Sequence, residues 1–190
     1  MERTEPTATR DKERTRQAIL EAAERTFSER GSKASLTDVA KAAGVTQSGL
    51  RHHFPSRDAL LCGVIEHSME RFWAEIHAHV DLSENRPGKL LRGYIRALTG
   101  DSDVFAKVLD PSGLSATLGH PTGADELYVR DAERWSAAME ADGLPRARAL
   151  VIAHAAEGLA MSRSSPFLTE GDLQLARAEL LAMTEQPMSP

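Results

Sequence analysis

The chain has 190 residues, of which 41% are hydrophobic and only 5% aromatic, and its formal net charge is −5. A single cysteine, Cys62, excludes an intramolecular disulfide, and no run approaches the roughly 20 apolar residues of a membrane-spanning helix. The charge is uneven: residues 1–57 carry 11 Lys and Arg against 8 Asp and Glu, and residues 58–190 carry 12 against 20. A basic third on an acidic remainder fits a small nucleic-acid-reading module joined to a larger domain that does not touch nucleic acid. The abundance of Ala, Leu, Arg and Glu suits an all-α protein. The N-terminal MERTEPTATRDKERTR lacks the apolar core of a secretion signal, so the expected location is cytoplasmic.

Residues 1–10 read as a flexible polar tail. Ile19, Ala22, Ala23 and Phe27 recur at helical spacing and predict a first helix over 11–30, closed by Gly31. Its opposite face is charged. Lys12, Arg14 and Arg16 are readable as flanking DNA or simply as a solvated face.

The segment from Leu36 to Leu60, LTDVAKAAGVTQSGLRHHFPSRDAL, carries the most information. Ser35 is placed as an N-cap, with Asp38 three residues on to close a capping box. A short helix to Ala43 then ends at Gly44, and a second short helix starts at Thr46. On that second helix Leu50 and Phe54 point inward, while Gln47, Ser48, Gly49, Arg51, His52 and His53 point out. Two short helices on a tight glycine turn predict a helix-turn-helix, whose second helix enters a DNA major groove. Pro55 stops it, and Ser56 caps a long helix from Arg57 to about His79. That helix is wide in apolar residues and links the two parts of the chain.

Further helices are predicted over Lys89–Thr99, Asp101–Leu109, Ala124–Ala141, about Pro145–Ser162 and about Thr169–Thr184, with a Gly- and Pro-rich connection over 111–123. The total is about nine helices and no strand. The domain plan is a tail over 1–10, a helix-turn-helix domain over 11–57, and a second helical domain over 58–190.

Three segments together resemble the TetR family of transcriptional regulators: Ile19 to Gly31 (ILEAAERTFSERG), Leu36 to Thr46 (LTDVAKAAGVT) and Gly49 to Leu61 (GLRHHFPSRDALL). The GLRHHFPS stretch resembles a subset of the family that includes multidrug-responsive repressors. The resemblance covers 11–65 in sequence and the remainder in architecture. It implies a homodimer on a near-palindromic double-stranded DNA operator, with one recognition helix per half-site. It also implies a small-molecule effector, bound in the second domain, that releases the DNA. An alternative is a DNA-binding regulator that answers to a protein partner. The chain departs from the common family pattern where tyrosine often stands at Arg51 and threonine at Gly49.

On that pattern the DNA-facing residues are Thr37, Thr46, Gln47, Ser48, Arg51, His52, His53 and Arg57. Gln47 is placed for base readout, since its amide pairs with adenine. Thr46 is readable as a DNA contact or only as a cap. Arg51 suits a phosphate or a guanine. His52 and His53 suit phosphates. They point about 100° apart on a helix and so do not chelate one metal. Arg57 sits at a helix start, where free amides favour phosphate.

In the second domain Trp73, His77, Tyr94, Phe105, Tyr128, Trp135 and Met139 are readable as pocket lining or as ordinary core. The small residues of 145–162, with the last helix over 169–184, suit a four-helix contact between two copies or a buried central helix. His154 reads as a satisfied buried histidine, and Cys62 as a small core residue or a thiol sensor. No metal or cofactor is expected. No H-E-x-x-H, G-x-S-x-G or phosphate loop is present, which argues against an enzyme.

Overall fold

The computed structural model describes residues 7–100 and 120–185. These residues form eight α-helices, one 3-10 turn and no strand. The helices are α1 (Thr7–Arg30), α2 (Leu36–Ala42), α3 (Gln47–His53), α4 (Arg57–Ala78), α5 (Lys89–Thr99), α6 (Ala124–Ala141), α7 (Arg146–Met161) and α8 (Glu170–Met183). The helix expected over Asp101–Leu109 lies outside the described residues. Helix α1 starts at Thr7, inside the stretch read as a tail. Helix α7 starts at Arg146, with Pro145 as its N-cap and not its first helical residue.

The chain divides into two compact units. Residues 7–68 and 120–128 make the first, and residues 69–100 and 129–185 the second. Both divisions fall inside helices: α4 and α6 each contribute residues to the two units.

The first unit is built on one apolar cluster. Ile19, Leu20, Ala23 and Phe27 of α1 meet Val39 and Ala40 of α2, Leu50 of α3, Phe54 and Leu60, Leu61 and Val64 of α4. The α2–α3 turn is set by Gly44, whose φ of 68° lies in the left-handed region, where a side chain costs about 1–2 kcal/mol. Val45 then packs on the cluster and donates its N–H to the Ala40 carbonyl at 3.0 Å. Gly63 is small for a different reason. A Cβ there would lie 2.7 Å from Phe54 Cε1 and 3.1 Å from Leu20 Cδ2, so its absence is what lets α4 close on Phe54.

In the second unit Leu91, Ile95 and Leu98 of α5 pack with Ile76, with Ala149, Ile152 and Ala156 of α7, and with Leu180 of α8. Helix α5 lacks a local side-chain cap, since Gly88 precedes it. The Asp142 carboxylate supplies the cap from a distance, accepting from the N–H groups of Leu90 at 2.7 Å and Leu91 at 3.0 Å. Arg92 is fully buried. It donates to Glu84 at 2.5 Å, to the Pro87 carbonyl at 2.9 Å and to the Thr184 hydroxyl at 3.3 Å.

Gly44→Ala is expected to lower unfolding free energy by about 1–2 kcal/mol, with Gly44→Asn closer to wild type. Nothing lies within 4 Å of the added methyl, so the loss is conformational. Urea midpoints read it, and an unchanged midpoint for the alanine variant would contradict the left-handed turn.

Candidate nucleic-acid interface

Helix α2 is started firmly. The Ser35 hydroxyl accepts from the Asp38 N–H at 3.1 Å, and the Asp38 carboxylate accepts from the Ser35 N–H at 3.0 Å, which closes the capping box. The Ser35 hydroxyl and the Arg30 ion pair, at 2.7 Å, also bind that carboxylate. The Ser35 hydrogen bonds, ahead of the Arg30 charge, hold the Asp38 carboxyl below its ordinary range. Thr37, in the first turn, is exposed.

Helix α3 has two unlike faces. Leu50 is buried, and Phe54, its C-cap, is 2% exposed. Gln47, Ser48, Arg51 and His52 are exposed on the other side, and His53 is half-buried. Thr46 is the N-cap, its hydroxyl accepting from the Gly49 N–H at 3.0 Å. That bond commits the hydroxyl's acceptor side, while its hydrogen stays available to a phosphate. A Cβ at Gly49 would lie 3.2 Å from that same hydroxyl oxygen.

The end of α3 sits among cations. The Arg16 guanidinium lies 4.7 Å from the centre of the Phe54 ring, a cation–π contact that covers the ring from the α1 side. Burial lowers the His53 pKa from its ordinary value, and the charges of His52, Lys12 and Arg16 lower it further against the opposing pull of Glu13. Arg16 in this covering role was not legible in the sequence, where it reads only as part of a charged face.

Arg57 is half-buried at the start of α4. Its Nη1 donates to the Ala34 carbonyl at 2.7 Å, and its guanidinium lies 5.2 Å from the Phe27 ring centre. It therefore braces the segment ahead of α2, with the rest of its donor fork left over. Ser56 caps α4 by accepting from the Ala59 N–H at 3.0 Å.

Cys62 is a half-buried free thiol. Its Sγ lies 3.3 Å from the Thr122 carbonyl oxygen, and burial with Asp58, Glu126 and Glu66 nearby pushes the thiol pKa up. Tyr128 also belongs to this unit, where its ring stacks on His120 at 6.3 Å.

In the second unit the aromatics named from the sequence come together. Trp73 and Trp135 stack with centroids 3.9 Å apart, and Trp135 meets Tyr94 edge-on at 5.4 Å. Phe72 joins both Tyr94 and Trp135 edge-on. Trp73 Nε1 donates to Asp131 at 3.0 Å, and Arg134 lies over the Trp73 ring at 4.2 Å. His77 leans on the Trp73 ring and bonds the Trp73 carbonyl of its own helix at 2.8 Å. Met139 is half-buried against the same core. Phe105 lies outside the described residues. Among the described residues no group of three or more His, Cys, Asp or Glu is placed to hold a metal ion, and no helix is long and apolar enough to cross a membrane.

Residues 19–62 match the family model described as bacterial regulatory proteins, tetR family, and residues 88–185 match the tetracyclin repressor-like C-terminal domain. The chain belongs to the TetR family. It is thus a DNA-binding transcriptional regulator with a helix-turn-helix, in a family of regulators and not of enzymes. Similar solved structures share its fold. One is the multidrug binding protein EbrR in complex with imidazole, 23% identical, covering 92% of this chain and 97% of that one with a TM-score of 0.63. A putative TetR-family regulator from Rhodococcus sp. is 21% identical over 90% of this chain and 97% of that one, with a TM-score of 0.67. A TetR-family member from Streptomyces coelicolor A3 is 22% identical over 90% and 98%, with a TM-score of 0.66. No curated protein matches the chain.

In this TetR-family protein the lowered His53 pKa carries a sign. A histidine that is harder to protonate in the folded state than in the unfolded one opposes folding as pH falls through the ordinary histidine range near 6.5. The His53 ring is expected to titrate below an unperturbed histidine by NMR. His53→Gln should remove part of the stability lost between about pH 7 and pH 5. A His53 titration at or above the ordinary value would overturn the assignment.

Proposed function

We propose that this protein is a homodimeric repressor that sits on a near-palindromic operator and leaves it when a small-molecule effector binds the second unit. The observation that carries the DNA reading is the two-faced α3, whose buried Leu50 and Phe54 leave Gln47, Ser48, Arg51 and His52 on open surface. In the first turn of a recognition helix, Gln47 is positioned to pair with adenine, and Ser48 to contact a base or phosphate. Thr37, Thr46, Arg51, His52 and His53 serve the phosphates, and Arg57 steadies the frame that presents them. Gly49, with no side chain, lets the helix backbone approach the groove wall.

Dimerisation is assigned to α7 and α8. Leu150, Val151 and Met161 on α7, Leu175 on α8 and Phe167 in the joining turn are exposed, Phe167 to 95%. Between the two helices lies a hollow of about 520 Å³ lined by Ala155, Gly158, Leu159, Leu168, Ala176 and Leu180 among others. An apolar surface of this extent calls for cover, and a second copy related by a two-fold axis supplies the same surface in return. His154, read from the sequence as buried, lies on this stripe with its side chain 71% exposed.

The effector site is assigned to the aromatic cluster of Trp73, Tyr94 and Trp135, with His77 and Met139 beside it. A structurally similar protein is named for multidrug binding and was crystallised with imidazole, and the GLRHHFPS form agrees with membership of a multidrug-responsive subset. A second reading, control by a protein partner, draws support from the way these rings stack on one another.

Gel shifts on DNA from upstream of the protein's own gene test the reading, at near-physiological salt where non-specific binding is weak. Gln47→Ala should relax preference at one base pair by about 1–3 kcal/mol. Arg51→Ala should weaken all sequences alike if it holds a phosphate. Equal, sequence-independent losses in both variants would sink these roles. Leu175→Glu should convert the dimer to monomer in sedimentation and abolish operator binding with its fold intact; a stable dimer would move the contact elsewhere.

A further inference from the structure

Glu157 of α7 uses its two carboxylate oxygens in opposite directions. Oε1 accepts from the Tyr94 hydroxyl at 2.5 Å, and Oε2 lies 3.0 Å from His154 Nδ1. Tyr94 is 3% exposed and its ring meets Phe72 and Trp135 edge-on. His154, at the other end, stands in the open among Leu150, Val151 and Met161. The three polar groups thus form one continuous chain from the aromatic cluster to the outer surface of α7.

The direction of each bond follows from chemistry. Burial, with the Glu157 carboxylate beside it, keeps the Tyr94 phenol protonated, so its O–H donates. A carboxylate only accepts, so His154 must present Nδ1–H to it. This sets the tautomer of the neutral ring, with the proton on Nδ1, and leaves Nε2 out of the Glu157 bond. Neighbouring hydrogen bonds on one carboxylate polarise each other, so the two ends sense each other's state. An exposed His–Glu pair three residues apart on a helix would by itself contribute little. The buried Tyr94 anchor is what sets this pair apart, because it ties a surface histidine to the ring packing within the unit.

We infer that the Tyr94–Glu157–His154 chain couples the aromatic cluster to the subunit contact, so that seating a second copy on α7 shifts the packing of Trp135 and Trp73. The inference rests on the dimer reading given above. Linkage makes the coupling reciprocal: an occupant that displaces Tyr94 changes how His154 is offered to the partner. No covalent step is involved. What changes is the geometry of two hydrogen bonds on one carboxylate.

The chain has only two tryptophans, and both lie in the cluster, so intrinsic fluorescence reports on it directly. The experiment follows tryptophan emission during dilution of the full-length protein, with sedimentation giving the extent of dissociation. Wild type should change its emission in step with dissociation. His154→Ala, which removes an exposed side chain and leaves the fold intact, should still dissociate but without the emission change. Tyr94→Phe should do the same while keeping the ring. A dimer that dissociates with constant emission, or a His154→Ala variant with the full wild-type response, overturns the inference and leaves the dimer reading standing. A protein that is monomeric at every concentration overturns both.

Discussion

The whole DNA-reading surface hangs on two apolar side chains. Helix α3 has seven residues, far below the roughly 12–15 at which an isolated helix begins to hold in water. It exists because Leu50 and Phe54 are buried in the cluster formed by α1, α2 and α4, each contributing about 1.5–3 kcal/mol. Those two residues sit one helical turn apart, so they fix the rotation of α3 as well as its position. That rotation decides which side chains face DNA. Phe54 is held on two sides. Its ring fills the space that Gly63 leaves open, and Arg16 covers its outer face. A larger residue at 63 would push the ring, and the ring would turn the helix.

The second unit depends on a different kind of constraint. Its helices are joined by loops over 79–88 and 142–145 and packed on small residues, and the polar groups at its margins do the pinning. Arg92, though charged, is buried because Glu84, the Pro87 carbonyl and Thr184 all receive its hydrogen bonds. A buried charge is tolerable only when matched in this way. The match is also geometric, since it holds the loop before α5 and the end of α8 to one point. Asp142 does the same for the start of α5 and the end of α6. Between them these two residues fix the frame that displays the stripe on α7 and α8.

The legible part of this architecture was the local part. The capping box at Ser35 and Asp38, the turn at Gly44, the cap at Ser56 and the bounds of α5 and α6 all follow from neighbours in sequence, and the structure carries each of them. What escaped depends on residues far apart. Asp142 caps a helix that begins 53 positions earlier, and no local pattern marks it. Arg57 looked like a free phosphate ligand because its place at a helix start was visible while the Ala34 carbonyl and the Phe27 ring were not. The second capping box, Thr169 with Asp172, was local and present in the sequence, but the helix start alone was read there. The aromatics of the second unit were identified by type. Only the fold shows that Trp73, Tyr94 and Trp135 meet while Tyr128 stacks on His120.

Burial also separates two roles that composition leaves mixed. The middle of α7 is small and apolar apart from His154 and Glu157, and such a helix reads equally as a core or as a contact. Within it Ala149, Ile152 and Ala156 are buried, while Leu150, Val151 and Met161 are exposed. The helix therefore serves the core with one stripe and leaves a second stripe uncovered. On the dimer reading, that second stripe joins two copies of the chain, which bring two copies of α3 to the operator. A two-fold operator demands that they enter the major groove about one helical turn, roughly 34 Å, apart. The reading heads then need no internal change to lose their DNA. On the proposed release by an effector, each α3 stays pinned by Leu50 and Phe54, and the effector need only favour a subunit arrangement with the wrong spacing. The free energy involved is the effector's difference in affinity for the two arrangements, typically about 1–3 kcal/mol. A rigid head is a requirement of that scheme, because a head that yielded would follow the groove and absorb the shift.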